Sequence, residues 1–200
     1  MTRFRIPVLL LSFSALVCSL PARAEQVVVP PRAGQVGLSV QGQYGGLLKT
    51  GGIGSLFDSG PGVAVRLRYR MRYERAMGLS FETQHFDVRQ PAAADTAADH
   101  MNAFTYGFDV YQMFGTRTRT SKWLGVGAGL VQFRRVLNDK EIDFSENNDG
   151  VYISAGAGVE RFVWQSWALD LSGKYLTMFQ DGRANHDFQA SLGVIVYATY

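Results

Sequence analysis

The sequence predicts an all-β fold in which eight antiparallel strands run up and down and close into a barrel. Three observations carry that prediction. Apolar residues recur at every second position in eight separate segments. The connections between those segments alternate in length. Charge collects on one face of the ribbons, most plainly in GVAVRLRYRMRYERAMGLSFE (62–82), where Arg66, Arg68, Arg70 and Arg72 alternate with Val65, Leu67, Tyr69 and Met71.

The first 24 residues read as an export signal: Arg3 and Arg5 give a basic start, Ile6 to Leu20 is apolar, and Ala22-Arg23-Ala24 is an A-x-A cleavage site ahead of Glu25. The apolar run falls short of the roughly 20 residues a spanning helix needs. The single cysteine, Cys18, lies inside it, and Ala15-Leu16-Val17 does not make a lipoprotein box, so the mature chain is expected to use neither disulfides nor thiolate metal sites. Of 20 Lys and Arg, three (Arg3, Arg5, Arg23) fall in the signal, which leaves 17 against 17 acids and a mature net charge of zero. The basicity of the whole chain is therefore no argument for nucleic acid. Residues 25–34 (EQVVVPPRAG) form a short lead, and 35–200 read as one barrel domain.

Each ribbon follows from period 2. Val36, Leu38, Val40 and Tyr44 alternate with Gly37, Ser39, Gln41 and Gln43; the arginine ribbon follows, then Met77, Leu79 and Phe81 against Gly78, Ser80 and Glu82. Phe104, Tyr106, Phe108 and Val110 oppose Thr105, Gly107, Asp109 and Tyr111, and Leu124, Val126, Ala128 and Leu130 oppose Gly125, Gly127 and Gly129. Ile153 to Val159, Trp167 to Tyr175 and Phe188 to Val196 complete the set. Segments 45–60, 89–101, 136–150 and 180–186 are expected to be the longer loops, and those near 73–75, 116–121 and 163–166 the tight turns.

Period 2 leaves the sidedness open, and a soluble barrel with an apolar interior is the plain alternative. Three features favour an apolar exterior. The polar face is mostly Gly, Ser and opposed charges, which suits the narrow interior of eight strands and not a solvated strand face. Trp123, Trp164 and Trp167 fall beside the short turns with Tyr73, Phe114 and Tyr200 at the same level, an arrangement expected of an interfacial aromatic girdle. Tyr200 ends the last alternation as a terminal aromatic.

On these ribbons, WLGVGAGL and YISAGAGVE, and on the closing aromatic, the chain resembles the small eight-stranded outer-membrane barrels of Gram-negative bacteria, the class of the OmpA transmembrane domain, OmpX and OmpW. The resemblance covers nearly all of 35–200. It implies a transmembrane β-barrel of the bacterial cell envelope and a Tyr200 read by the outer-membrane assembly machinery.

Facing lipid near the midplane, each arginine of the ladder would cost roughly 2–4 kcal/mol. The ladder must therefore face the lumen, and a buried cation there needs a partner. If the YER turn centres near Glu74, Arg66 opposes Glu82 and Arg68 opposes Ser80. Asp109, Glu160 and Asp170 add anions and Lys174 a cation, so an internal ion-pair network of Arg66, Arg68, Arg70, Arg72, Glu82, Asp109, Glu160, Asp170 and Lys174 is expected.

His85, His100 and His186 sit near the expected outer ends of strands, but none has Ser two places on, the pair used by the lipid A deacylases, and no nucleophile is evident. No catalytic site is expected. The acidic run 138–150 (NDKEIDFSENNDG) lacks EF-hand spacing and reads as a solvated loop, PAAADTAA (91–98) as surface, and GGIGSLFDSGPG lies between strands, which removes a phosphate-loop reading. No cofactor or metal is expected. The expected partners are outer-membrane lipids and lipopolysaccharide, together with the assembly machinery. The expected role is a noncatalytic envelope protein acting through its loops; a narrow porin-like conduit for small or apolar solutes and a lipid A-modifying enzyme are the alternatives.

Overall fold

The computed structural model describes residues 33–48, 57–72, 74–88, 100–137, 140–142, 149–180 and 182–198. The expected signal and most of the lead therefore lie outside the described residues, as do Tyr73, Tyr200, the alanine-rich loop and most of the acidic loop.

Eight long antiparallel strands close a ring: β1 (Val36–Leu47), β2 (Gly60–Arg72), β3 (Arg75–Asp87), β4 (His100–Phe114), β5 (Thr120–Leu137), β7 (Asp149–Phe162), β8 (Trp167–Gln180) and β9 (Arg183–Tyr197). Each pairs with its neighbour in the chain, and β1 pairs with both β2 and β9, so no edge is left unpaired. The short β6 (Lys140–Ile142) adds only to the far end of β5. Closure matters in a bilayer because hydrocarbon satisfies no backbone hydrogen bond.

The barrel is inside out relative to a soluble one. Leu38, Val40, Leu67, Leu79, Phe108, Val126, Ile153 and Leu171 are exposed on the outer face, whereas Ser39, Gln41, Arg66, Arg68, Glu82, Glu160 and Asp170 are buried within. The lumenal glycines have a sharper role than narrowness alone. Gly37, Gly107, Gly125 and Gly158 lie against aromatic side chains: a Cβ on Gly37 would stand 2.7 Å from the Tyr197 ring, and one on Gly158 2.5 Å from the Trp123 indole. Bare backbone and large ring together fill the section, the small-with-large packing of narrow barrels.

The short turns and the strand ends at Val36 and Tyr197 lie at one end of the barrel, and the strand ends at Leu47, Gly60, Asp87 and His100 lie at the other. At the short end, Gly115 adopts φ 68°, a left-handed conformation costly for side-chain-bearing residues. Thr118 donates from N and Oγ1 to the Gly115 carbonyl at 3.0 and 2.9 Å, pinning the turn.

Two expectations about register and loops are corrected. Arg66 opposes Ser80, and Glu82 opposes Ala64. The hairpin centres one residue earlier than Glu74, with a bulge between Arg70 and Arg72; pairing shifts by two, which preserves the face of each side chain up to Arg70. Segment 180–186 is no long loop, because Gln180 pairs with Arg183 and Gly182 turns at φ 72°. Asp-Gly is a strong two-residue hairpin signal, and it extends β9 back over Asp187.

Candidate functional site

The lumen divides by depth. At the long-loop end Leu47, Phe57, Phe86, Met101, Phe133 and Met178 belong to an apolar cluster that also holds Tyr152 and Leu176. The charged residues lie nearer the short-turn end, interleaved with two smaller apolar clusters, one around Tyr111, Met113 and Trp123 and the other around Phe162, Ile195 and Tyr197.

The ions form two groups, each with two cations and two anions. In the upper group Glu82 meets Arg66 at 3.0 Å and Lys174 at 3.1 Å, and Lys174 lies 4.0 Å from Asp109. In the lower group Glu160 pairs with Arg68 and, at 2.6 Å, with Arg70, while Arg68 also reaches Asp170 at 3.3 Å. The Tyr197 hydroxyl donates to Glu160 at 3.1 Å. Arg68 also stands over the Tyr111 ring at 4.5 Å and the Trp123 ring at 5.4 Å, and Arg70 over Tyr197 at 5.0 Å. Local neutrality within each group is what burial requires, since an uncompensated charge here would have lost its hydration without a counter-ion to replace it. The Arg66–Glu82 pair forms diagonally across the β2–β3 ladder, within reach of long side chains.

Two residues stand elsewhere than expected. Arg72 is exposed, because the bulge that follows Arg70 breaks the alternation and turns it out of the lumen. Trp123 is 4 % exposed and points inward, packed edge-to-face on Tyr111 at 5.2 Å. Its parity explains this: it shares the odd-numbered face of β5 with Gly125, Gly127 and Gly129, and Gly158 leaves it room. Trp123 plugs the lumen and belongs to no girdle. Trp164 and Trp167 lie on the outer surface at the β7–β8 turn, 71 % and 48 % exposed, with Phe114 outward at the same end.

The sequence reading missed an upper polar layer. Asp187 is buried and accepts a hydrogen bond from Gln189 at 2.9 Å, Gln43 donates to Gln84 at 3.0 Å, and Gln84 donates to the Gly60 carbonyl. The parity that places Ser191 inward would have found Asp187 had β9 been started at Arg183.

The histidines face outward near the long-loop rim. His85 Nδ1 lies 2.8 Å from Asn102 and Nε2 3.3 Å from Asp87, with the His100 ring 4.8 Å away. His186 Nδ1 is shared between Tyr175 at 2.8 Å and Thr177 at 3.2 Å. Among the described residues no carboxylate pairs with His186 to orient it, and no group of three or more His, Cys, Asp and Glu is placed to hold a metal. A cavity beside Arg66, Asp109 and Lys174 measures about 10 Å3, room for about one water.

This closed, inside-out barrel is similar to several solved structures. Neisserial surface protein A is 14 % identical with a TM-score of 0.57, over 82 % of this chain and 98 % of that one. The N-terminal β-barrel domain of Pseudomonas aeruginosa OprF is 13 % identical with a TM-score of 0.56, over 84 % and 100 %. Outer membrane protein OprG of the same organism is 11 % identical with a TM-score of 0.59, over 86 % and 99 %. No curated protein sequence matches the chain. Residues 10–195 match the family model described as the outer membrane protein beta-barrel domain. The chain belongs to that family and is an integral protein of the bacterial outer membrane.

Proposed function

We propose that the chain is a noncatalytic barrel whose lumen is filled for stability and whose activity resides in the long connections it carries outside the cell. The observation that supports this most directly is the occupied lumen: two neutral ion-pair groups lie beneath an apolar cluster, and the cavity at Arg66 has room for only about one water. An ion crossing such a lumen would have to break buried pairs and pass an apolar constriction. The outer face of the strands is fixed by lipid contact, which leaves segments 49–56, 89–99 and 143–148 as the stretches whose sequence the bilayer does not dictate. Assembly into the membrane through Tyr200 belongs to the same reading.

Planar-bilayer recordings test it. Refolded wild-type protein and Glu82→Ala are both expected to stay at the lipid baseline, whereas resolved conductance steps in the wild type would replace this reading with a conduit. Mass spectra of lipid A from cells with and without the protein are expected to superimpose; a shifted lipid A mass would make it an enzyme.

A further inference from the structure

The short-turn rim is strongly cationic. Its described residues carry Arg72, Arg75, Arg117, Arg119, Lys122 and Arg161 against the single acid Glu74. The opposite rim is different: Asp58, Asp87 and Asp149 outnumber Arg134 and Arg183 on its described exterior. The cations are not spread evenly. Four lie on β2, β3, β5 and β7 and two in the β4–β5 turn, with Arg72 opposite Arg75, Arg75 opposite Gln112, and Lys122 between Phe114 and Val159. The remaining arc, at the β7–β8 turn, carries Trp164 and Trp167.

Depth gives the arc its chemistry. Arg75 and Lys122 are exposed on the outer face, each two residues from the apolar band, next to Met77 and Leu124. Just beyond the apolar band of a membrane barrel is the height expected of lipid headgroups. Among the described residues Arg72, Arg75, Arg117 and Lys122 join no ion pair, while Arg119 and Arg161, half-buried at the same level, make contacts of their own. Lys122 also borders a shallow, open apolar depression on the outer face lined by Leu124, Ala157, Val159, Leu171 and Gly173. A headgroup phosphate at Lys122 would lay an acyl chain along that depression.

We infer that this arc binds anionic phospholipid, of the phosphatidylglycerol type, in the membrane leaflet that faces the short turns. Charge complementarity supplies the preference, since a basic residue at an anionic lipid surface is favoured and a zwitterionic headgroup offers no net charge to it. The inference depends on the membrane placement and not on what the long connections do.

The test is native mass spectrometry of the full-length, detergent-solubilised protein titrated with phosphatidylglycerol or phosphatidylcholine. Wild type is expected to retain phosphatidylglycerol in preference. The triple variant Arg75→Gln/Arg117→Gln/Lys122→Gln is expected to lose about fivefold in affinity per cation, whereas Arg134→Gln/Arg183→Gln, which removes two cations from the other end, is expected to keep the wild-type value. A heat-dependent gel shift confirms that each variant is folded. Equal retention of the two lipids, equal loss in both variants, or capture of soluble peptidoglycan fragments in place of phosphatidylglycerol would overturn the inference.

Discussion

Glu160 is the residue on which the lower ion group turns, and Glu160→Gln removes its charge while keeping its shape. The carboxylate is fully buried and meets Arg68, Arg70 and the Tyr197 hydroxyl. Arg68 retains Asp170 at 3.3 Å after the change. Arg70 does not fare so well, because among the described residues Glu160 is the one carboxylate at ion-pair distance from it. Removing one partner of a buried pair costs about 3–5 kcal/mol. Arg68 keeps an anion and the glutamine oxygen still accepts a hydrogen bond, so the expected loss is about 3 kcal/mol, near the lower bound. With a urea dependence of about 2–3 kcal/mol per molar, the unfolding midpoint should fall by about 1–1.5 M. The assay is reversible urea unfolding in lipid vesicles, with the folded fraction read from the gel shift between unheated and boiled samples. Arg70→Gln combined with Glu160→Gln removes both charges, and should recover about 1.5 kcal/mol relative to the sum of the single changes, within the range of coupling seen between contacting residues. A single-variant loss within about 0.5 kcal/mol, or strict additivity, would refute the view that these charges are desolvated and mutually dependent.

Single-tryptophan variants, with the other two changed to Phe, should separate by quenching in vesicles of brominated phospholipid: Trp164 and Trp167 are quenched, whereas Trp123 is protected by the barrel wall. Gly158→Ala should destabilise by about 1–3 kcal/mol, the cost of overpacking, because its Cβ would meet the Trp123 indole at 2.5 Å. Gly42→Ala, whose nearest neighbour would be a carbonyl oxygen at 4.0 Å on the lipid side, should stay within about 0.5 kcal/mol in the same urea titration. Gly182→Ala should cost about 1–2 kcal/mol, since φ 72° places a side-chain-bearing residue in the left-handed region; an unchanged midpoint would mean the hairpin relaxes to another turn type.

The positions of all eight long strands and their sidedness were legible because a bilayer enforces period 2 along each spanning strand: a side chain that slips by one residue moves from lipid to lumen. For the same reason a shift of two went unseen. Arg66 faces inward whether it opposes Ser80 or Glu82, and only the backbone of the β2–β3 turn decides between them. Trp123 was misplaced for a different cause. Residue type suggested an interface and parity dictated the lumen, and parity is the stronger constraint because inversion would have put Gly125 and Gly127 in lipid and Leu124 and Val126 in the ion layer. Arg72 failed in the opposite sense, at a bulge that alternation cannot anticipate. Asp187 was hidden by starting the last strand too late, although Asp181-Gly182 marks the hairpin.

These successes and failures share a physical source. Hydrocarbon on one side and a narrow section on the other constrain almost every strand residue, so strand sequence reports the membrane and says little of any ligand. The lumenal charges obey the same constraint: two neutral groups satisfy burial, and unrelated sets of paired ions would serve equally well. What the bilayer does not dictate is how charge is shared between the two rims. A barrel needs polar residues at both ends, yet nothing in closure or burial requires six cations and one acid among the described residues of the short-turn rim. That imbalance is therefore a property of this chain and not of its fold, which is why a binding preference should be sought there and in the long connections before it is sought in the lumen.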